Sequence, residues 1–380
     1  MERIRVIDSL RGFALLGVLI ANIPIAPSIS PGDFDTSLMF FSNIMISKKF
    51  IAIFSMLFGY GFYTQFSNYK REEKFINYFI IRMLFLMTIG VIHSYLIWNG
   101  DIIMTYALCG VILIGVRNWS VKKLNIFSAF LIIIVTGGLF IANDALGWRV
   151  YNYDYKLNDE FPLTKSLYRY LEINFIMNPW SNFFKDLPIT LSYSMGNMLL
   201  GVALGKLNFF RNEKFEKSNL KFVLASGVFG FISSYIYQLI ISGQIELGMN
   251  LIWLPFLIAG GMVVHSLFYI LLFKALFFYK PLRFVYTCFE YVGKLSLTNY
   301  LTQSILYIIV FYHFSDTFNL FGKLSIGETY VLALLFFGFQ ILFSLLWLRR
   351  FKKGPVEFLW RKQTEFFFSK GSNKKTATLQ

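Results

Sequence analysis

Cysteine is nearly absent from this 380-residue chain. Cys109 sits in an apolar run and Cys288 in a polar connection, a pattern that excludes a fold built on external disulfides. Histidine is almost as scarce. His93, His265 and His313 are scattered along the chain, with no Cys or Glu at ligand spacing, so no metal-binding signature is present. Acidic residues number 21 against 36 Lys and Arg, giving a formal charge of +15. The basic start leads straight into an apolar stretch that lacks a small-residue exit, so no cleavable signal peptide is expected. No internal repeat of the kind that builds paired transporter halves is visible.

What is abundant is apolar side chain. Hydrophobic residues make up 56% of the sequence and aromatics 19%, with mean hydropathy +0.56. A bilayer core about 30 Å thick needs ~20 apolar residues per crossing helix. Ten stretches approach that length: Leu10–Ala26, Phe50–Phe66, Ile76–Ile97, Ile102–Val116, Ile126–Ala142, Pro188–Leu204, Phe222–Ile241, Met249–Leu272, Leu295–Tyr312 and Thr329–Leu348. The expected fold is all-α, a polytopic membrane helix bundle of about ten transmembrane helices. When the connections are counted in order, the even-numbered ones and the two ends hold 28 of the 36 Lys and Arg, Arg82 among them. The positive-inside rule then puts both termini in the cytoplasm. Orientation and anionic lipid account for the basic charge, and no nucleic-acid partner is expected.

Residues 1–348 read as one transmembrane helical domain. Within it, 143–187 is an external loop whose second half, Lys165–Phe184, has the near-helical apolar spacing of an interfacial helix, or is a connector with an aromatic belt. Residues 349–380 form a basic amphipathic cytoplasmic tail, with disorder expected from Ser369 onward. Gly196, Gly201 and Gly205 suggest close helix contacts.

Ionisable and amide groups inside a membrane are costly and therefore informative. His93 precedes Asp101 by eight residues across the short turn Trp98-Asn99-Gly100, so two antiparallel helices bring them to one depth. This arrangement suits a base oriented by a carboxylate, or an interfacial histidine capped by a turn aspartate. His265 falls well inside a span, as a substrate-binding group or a neutral histidine bonded to a neighbouring helix. Asp8 and Arg11 are three apart and share a helix face. With Arg3 and Arg5 they form either a topology anchor or a phosphate-binding cluster, since Arg matches phosphate geometry. Asn22 occupies the far half of the same span. Ser296, Asn299 and Gln303 make a polar stripe, with Ser304 next to it, that faces protein or a water-filled path rather than lipid.

These pieces together resemble the YeiB-like family of bacterial membrane proteins, domain of unknown function 418. The matching segments are Asp8-Ser9-Leu10-Arg11-Gly12-Phe13-Ala14, Phe54-Ser55-Met56-Leu57-Phe58-Gly59, His93 through Asp101, Gly293-Lys294-Leu295-Ser296-Leu297-Thr298-Asn299-Tyr300 and Gly354-Pro355-Val356-Glu357-Phe358-Leu359-Trp360-Arg361. The N-terminal motif is also similar to that of transmembrane acyltransferases, which carry an acyl group from cytoplasmic acyl-CoA to an acceptor on the far side. That resemblance places Arg11 near the donor. It also marks a departure: where the bacterial sugar O-acyltransferases carry an essential histidine eleven residues after the arginine, this chain has Asn22. The lysosomal heparan glucosaminide acetyltransferase has Asn there too, but a histidine shortly after it, and Ile23–Lys49 contains none.

The reading that follows is a transmembrane acyltransferase with His93 as base and Asp101 orienting it. Arg3, Arg5, Arg11 and Lys294 would hold donor phosphates, and Asn22, Asn299, Gln303 and His265 would contact substrate. Asp8, Gly12, Gly59 and Gly293 would be structural. The donor is acyl-CoA, with no permanently bound cofactor; the acceptor is an extracytoplasmic glycan, lipid or small molecule. The alternative is a multi-pass transporter for a small molecule, opposed by the lack of paired broken helices and of a mid-membrane carboxylate. A scaffold without turnover is a third reading, weakened by short cytoplasmic connections.

Overall fold

The first helix shows why these runs become helices. α1 (Arg5–Asn22) places Asp8 in its first turn, where a carboxylate complements the helix dipole. It ends where Pro24 in the sequence forces the preceding Ile23 into extended backbone, at φ −66° and ψ 131°. In a computed structural model, residues 4–23, 32–69, 71–145, 166–181, 186–211, 218–245, 251–277, 279–311 and 320–377 are described. Arg3, His313 and most of the 143–187 loop lie outside them.

The remaining helices are α2 (Asp33–Met45), α3 (Lys49–Phe66), α4 (Glu72–Ile92), α5 (Ile103–Val116), α6 (Val121–Ala129), α7 (Gly137–Ala145), α8 (Leu167–Ile176), α9 (Leu187–Lys206), α10 (Ser218–Ile241), α11 (Leu254–Leu276), α12 (Arg283–Lys294), α13 (Ser296–Phe311), α14 (Ile326–Arg350) and α15 (Pro355–Ala377). Two π-helical stretches interrupt the pattern: His93–Ile97 continues α4, and Phe130–Thr136 joins α6 to α7. No strand occurs among the described residues. Seven described helical runs are at least 18 residues long and apolar enough to cross a bilayer, while α5 and α13 are shorter apolar helices. Leu84, Leu96, Ile112, Phe222, Leu335 and Phe339 stand exposed around the bundle. So much outward apolar surface is a cost in water and a gain in lipid. The chain is a membrane-embedded helical bundle.

Small residues set two close seams. A Cβ on Gly59 would collide with the Met198 carbonyl, and one on Gly201 with that of Met56, so α3 and α9 meet backbone to backbone. Gly12 and Gly293 do the same between α1 and α12, against the carbonyls of Phe289 and Asp8. Helix α8 has one exposed face, with Leu167, Tyr168 and Phe175, and one buried face, with Tyr170, Ile173 and Asn174. Of the tail from Ser369 onward, where disorder is expected, residues 369–377 continue α15 and residues 378–380 lie outside the described ones.

Candidate functional site

The site begins with the π turn. Trp98 N–H donates to the His93 carbonyl at 2.7 Å, five residues back, so one extra residue is inserted at the end of α4. The widened turn leaves carbonyls without helical partners, and the α8 region supplies donors. Asn174 Nδ2 donates to the Ser94 and Tyr95 carbonyls at 3.0 and 2.9 Å, Asn178 Nδ2 donates to Ser94 Oγ at 2.5 Å, and Tyr170 donates to the Ile97 carbonyl. Gly90 lets α4 approach the start of α5, because a Cβ there would meet the backbone of Met104.

The turn holds His93 fully inside, at 1% exposure. Asp101 Oδ1 lies 2.8 Å from His93 Nδ1, and Asp101 Oδ2 accepts the Met104 N–H at 2.8 Å. On the other side of the ring, Nε2 lies 2.9 Å from Ser304 Oγ on α13. The structure therefore places His93 and Asp101 in contact, as their spacing suggests, and adds Ser304, which reasoning from sequence noted only as a neighbour of Gln303. No local pattern marks it, since it lies 211 residues from His93.

A cavity of about 300 Å³ runs through the bundle beside this group. At one end it is lined by Arg11, Gln65, Arg82, Lys294, Glu357 and Trp360. Val18, Phe54, Leu57, Phe58, Met83 and Leu86 give it apolar walls, and Asn22, Gly100, Tyr106 and Tyr300 also line it. Tyr300 is the link to the histidine: it lines the cavity, and its ring centroid lies 5.4 Å from that of His93. His93, Asp101 and Ser304 do not themselves line it.

The basic end is ordered by carboxylates. Arg11 pairs with Asp8 at 3.3 Å. Glu290 receives Arg5 at 2.8 Å and Lys294 at 2.6 Å. Burial pushes the Glu290 carboxyl up, but the hydrogen bonds and charges of Lys294 and Arg5 outweigh burial and hold it below the ordinary carboxylate value. Arg82 lies over the Trp360 ring at 4.0 Å, and Trp360 Nε1 donates to the Arg82 carbonyl at 2.8 Å. Glu357 caps α13: Oε1 accepts the N–H groups of Leu297 and Thr298 at 2.8 and 3.1 Å, and Oε2 accepts Thr298 Oγ1–H at 2.5 Å. Helix α15 thus closes one wall of the cavity.

Several expected site residues lie elsewhere. Asn299 Nδ2 donates to the Val292 carbonyl and Ser344 Oγ, both at 3.0 Å, and Gln303 Nε2 donates to Gln340 Oε1 at 3.0 Å. The stripe therefore bonds α13 to α12 and α14, and neither residue reaches the cavity. His265 Nδ1 pairs with Ser234 at 2.9 Å, joining α11 to α10, away from the cavity. Of the four residues expected to contact substrate, Asn22 alone lines it, and Arg5 does not. Arg82, Tyr300, Glu357 and Trp360 are lining groups that sequence reasoning did not place there. Among the described residues no three metal-ligating side chains gather.

Residues 204–366 match the family model described as a protein of unknown function, DUF418. YxaH of Bacillus subtilis is 28% identical, covering 96% of this chain and 94% of its own length. YeiB of Escherichia coli is 29% identical, covering 96% and 97%. A 39.9 kDa protein from the amylase 3′ region of Bacillus acidopullulyticus is 26% identical, covering 96% and 94%. The second half of the chain thus carries the DUF418 region, and over nearly its whole length the chain is similar to YxaH and YeiB.

Proposed function

We propose that this protein is a membrane-bound acyltransferase, with the Arg11–Lys294 end in the cytoplasm, both termini on that side, and an acceptor reached from the other. The observation that carries the reading is one cavity that joins a basic mouth to Tyr300, with a hydrogen-bonded carboxylate, imidazole and hydroxyl directly behind that ring. Arg11, Arg82 and Lys294 suit the phosphates of an acyl-CoA. The apolar walls suit an acyl chain and its thioester arm. His93, oriented by Asp101, is the base that takes a proton as the acyl group moves, and Tyr300 must shift for the reacting carbon to reach it. The acceptor class is a hydroxyl or amine on a glycan, lipid or small molecule.

The test is transfer of labelled acetyl from acetyl-CoA by oriented vesicles, with wild type and His93→Ala compared at equal membrane abundance. A positioned base contributes roughly 10²–10⁴-fold, and a loss of that size is expected. Undiminished transfer in the variant removes the mechanism. The transporter reading has one observation in its favour: the cavity meets both Arg11 and Asn22, which are about three turns apart on α1. Solute flux through reconstituted protein, independent of acyl-CoA and unaffected by His93→Ala, would establish it instead.

A further inference from the structure

The hydrogen bonds around His93 have a direction. As a carboxylate Asp101 can only accept, so Oδ1 takes its hydrogen bond from His93 Nδ1–H, and Oδ2 takes one from the Met104 N–H. With Nδ1 carrying the proton, a neutral imidazole has Nε2 as an acceptor, and its partner there is Ser304 Oγ at 2.9 Å. The serine is then the donor. That is the polarity that activates a hydroxyl: carboxylate, imidazole, then an O–H whose proton the ring is placed to take.

Placement supports the same role. Ser304 is 2% exposed and Asp101 6%, so the chain lies where water does not compete. Ser304 stands four residues beyond Tyr300 on α13, one turn along the face that Tyr300 presents to the cavity.

Resting on the acyltransferase reading, we infer that Ser304 is the nucleophile of a two-step transfer and carries the acyl group between donor and acceptor. In the first step His93 Nε2 takes the Ser304 hydroxyl proton, Oγ bonds to the thioester carbonyl carbon, and the carbon–sulfur bond breaks. The proton passes from His93 to the departing thiolate. In the second step an acceptor hydroxyl gives its proton to His93 and attacks the serine ester. The carbon–Oγ bond breaks and Ser304 recovers the proton.

The experiment treats the full-length protein in lipid nanodiscs with a small fluorophosphonate, which bonds an activated serine oxygen to phosphorus and releases fluoride. Mass spectrometry of the peptide containing Ser304 reads the label. Labelling of Ser304 is expected, slowed at least about 10²-fold by His93→Ala. Heavy-isotope acetyl-CoA without acceptor should leave one acetyl group on the same peptide, and on the thiol introduced by Ser304→Cys, a variant that keeps a hydrogen-bonding group beside Nε2. Absence of both adducts overturns the inference. So does a Ser304→Ala variant that transfers acetyl at the wild-type rate while His93→Ala does not, since His93 then acts directly on the acceptor and the broader reading survives. Full transfer by His93→Ala defeats that broader reading itself.

Discussion

Asp101→Asn separates chemistry from stability at one atom pair. The amide has one acceptor and one donor end. If its oxygen keeps the Met104 N–H bond, its NH₂ faces His93 Nδ1, and that nitrogen must become the acceptor. The imidazole proton moves to Nε2, where it points at Ser304 and can no longer receive a proton from it. Both hydrogen bonds survive in neutral form. Charge-assisted bonds contribute about 1.5–3 kcal/mol and neutral ones about 0.5–1.5 kcal/mol, so two weakened bonds cost roughly 2 kcal/mol. Removal of a buried carboxylate recovers part of that as desolvation. The net change is about 1 kcal/mol, a small shift in thermal unfolding. The catalytic loss is on the order of 10⁴, the size such a tautomer reversal produces in an Asp–His–Ser triad. Thermal unfolding in detergent and acetyl transfer, measured on the same preparation, read the two effects. A variant that transfers acetyl within tenfold of wild type refutes the reasoning, because the carboxylate would then not set the tautomer of a catalytic base.

Gly201→Ala puts a methyl into the Met56 carbonyl and should lower stability by about 1–3 kcal/mol through separation of α3 from α9, whereas Gly115→Ala, which meets open space, should stay within about 1 kcal/mol of wild type. Detergent unfolding midpoints distinguish the two. Glu357→Ala strips the cap from α13 and should cost about 1–2 kcal/mol, with earlier proteolysis around residues 296–300; an unchanged midpoint would show that the cap does not hold α15. Glu290 has a folded pKa below its unfolded value, so the unfolded chain takes up the proton first as pH falls. Its contribution is present above the ordinary carboxylate value of about 4.3 and is lost as pH drops through the lower folded value. The pH profiles of wild type and Glu290→Gln should therefore converge in acid, and parallel profiles would contradict the Arg5–Glu290–Lys294 arrangement.

The elements legible in advance were those fixed by local spacing. Asp8 and Arg11 share a face because three residues make nearly one turn, and they do pair. His93 and Asp101 meet because the turn between their helices is too short for anything else. What spacing cannot supply is the direction in which a polar face points. Asn299 and Tyr300 are adjacent on α13, about 100° apart around the axis, yet one bonds α14 and the other lines the cavity. Arg82 was counted among cytoplasmic charges. It sits in the middle of α4, where Trp360, brought back from the far end of the chain, covers it. For His265 the sequence leaves two readings, a substrate contact or a bond to a neighbouring helix, because depth in a span does not distinguish them; the structure shows the bond, to Ser234.

The segments that mark the family converge on this cavity although they are scattered over most of the chain. Arg11 comes from the first and Phe54, Leu57 and Phe58 from the second. Gly100 belongs to the third, Gly293, Lys294, Ser296, Leu297 and Tyr300 to the fourth, and Glu357 and Trp360 to the fifth. Other residues of the same segments explain how the walls are held. Gly12, Gly59 and Gly293 allow backbone contact between helices, and Gly354 leaves room for the Glu357 carboxylate that caps α13. Packing alone does not require this convergence, since α10, α11 and α14 form equally good membrane helices without lining the cavity. A lipid-facing helix needs only apolar side chains. A helix that borders a polar-ended cavity must also place particular cations, amides and glycines at particular turns. On the acyltransferase proposal these segments answer to a ligand as well as to the bilayer, and an acyl-CoA, anionic at one end and apolar at the other, matches the cations and apolar side chains that line the cavity.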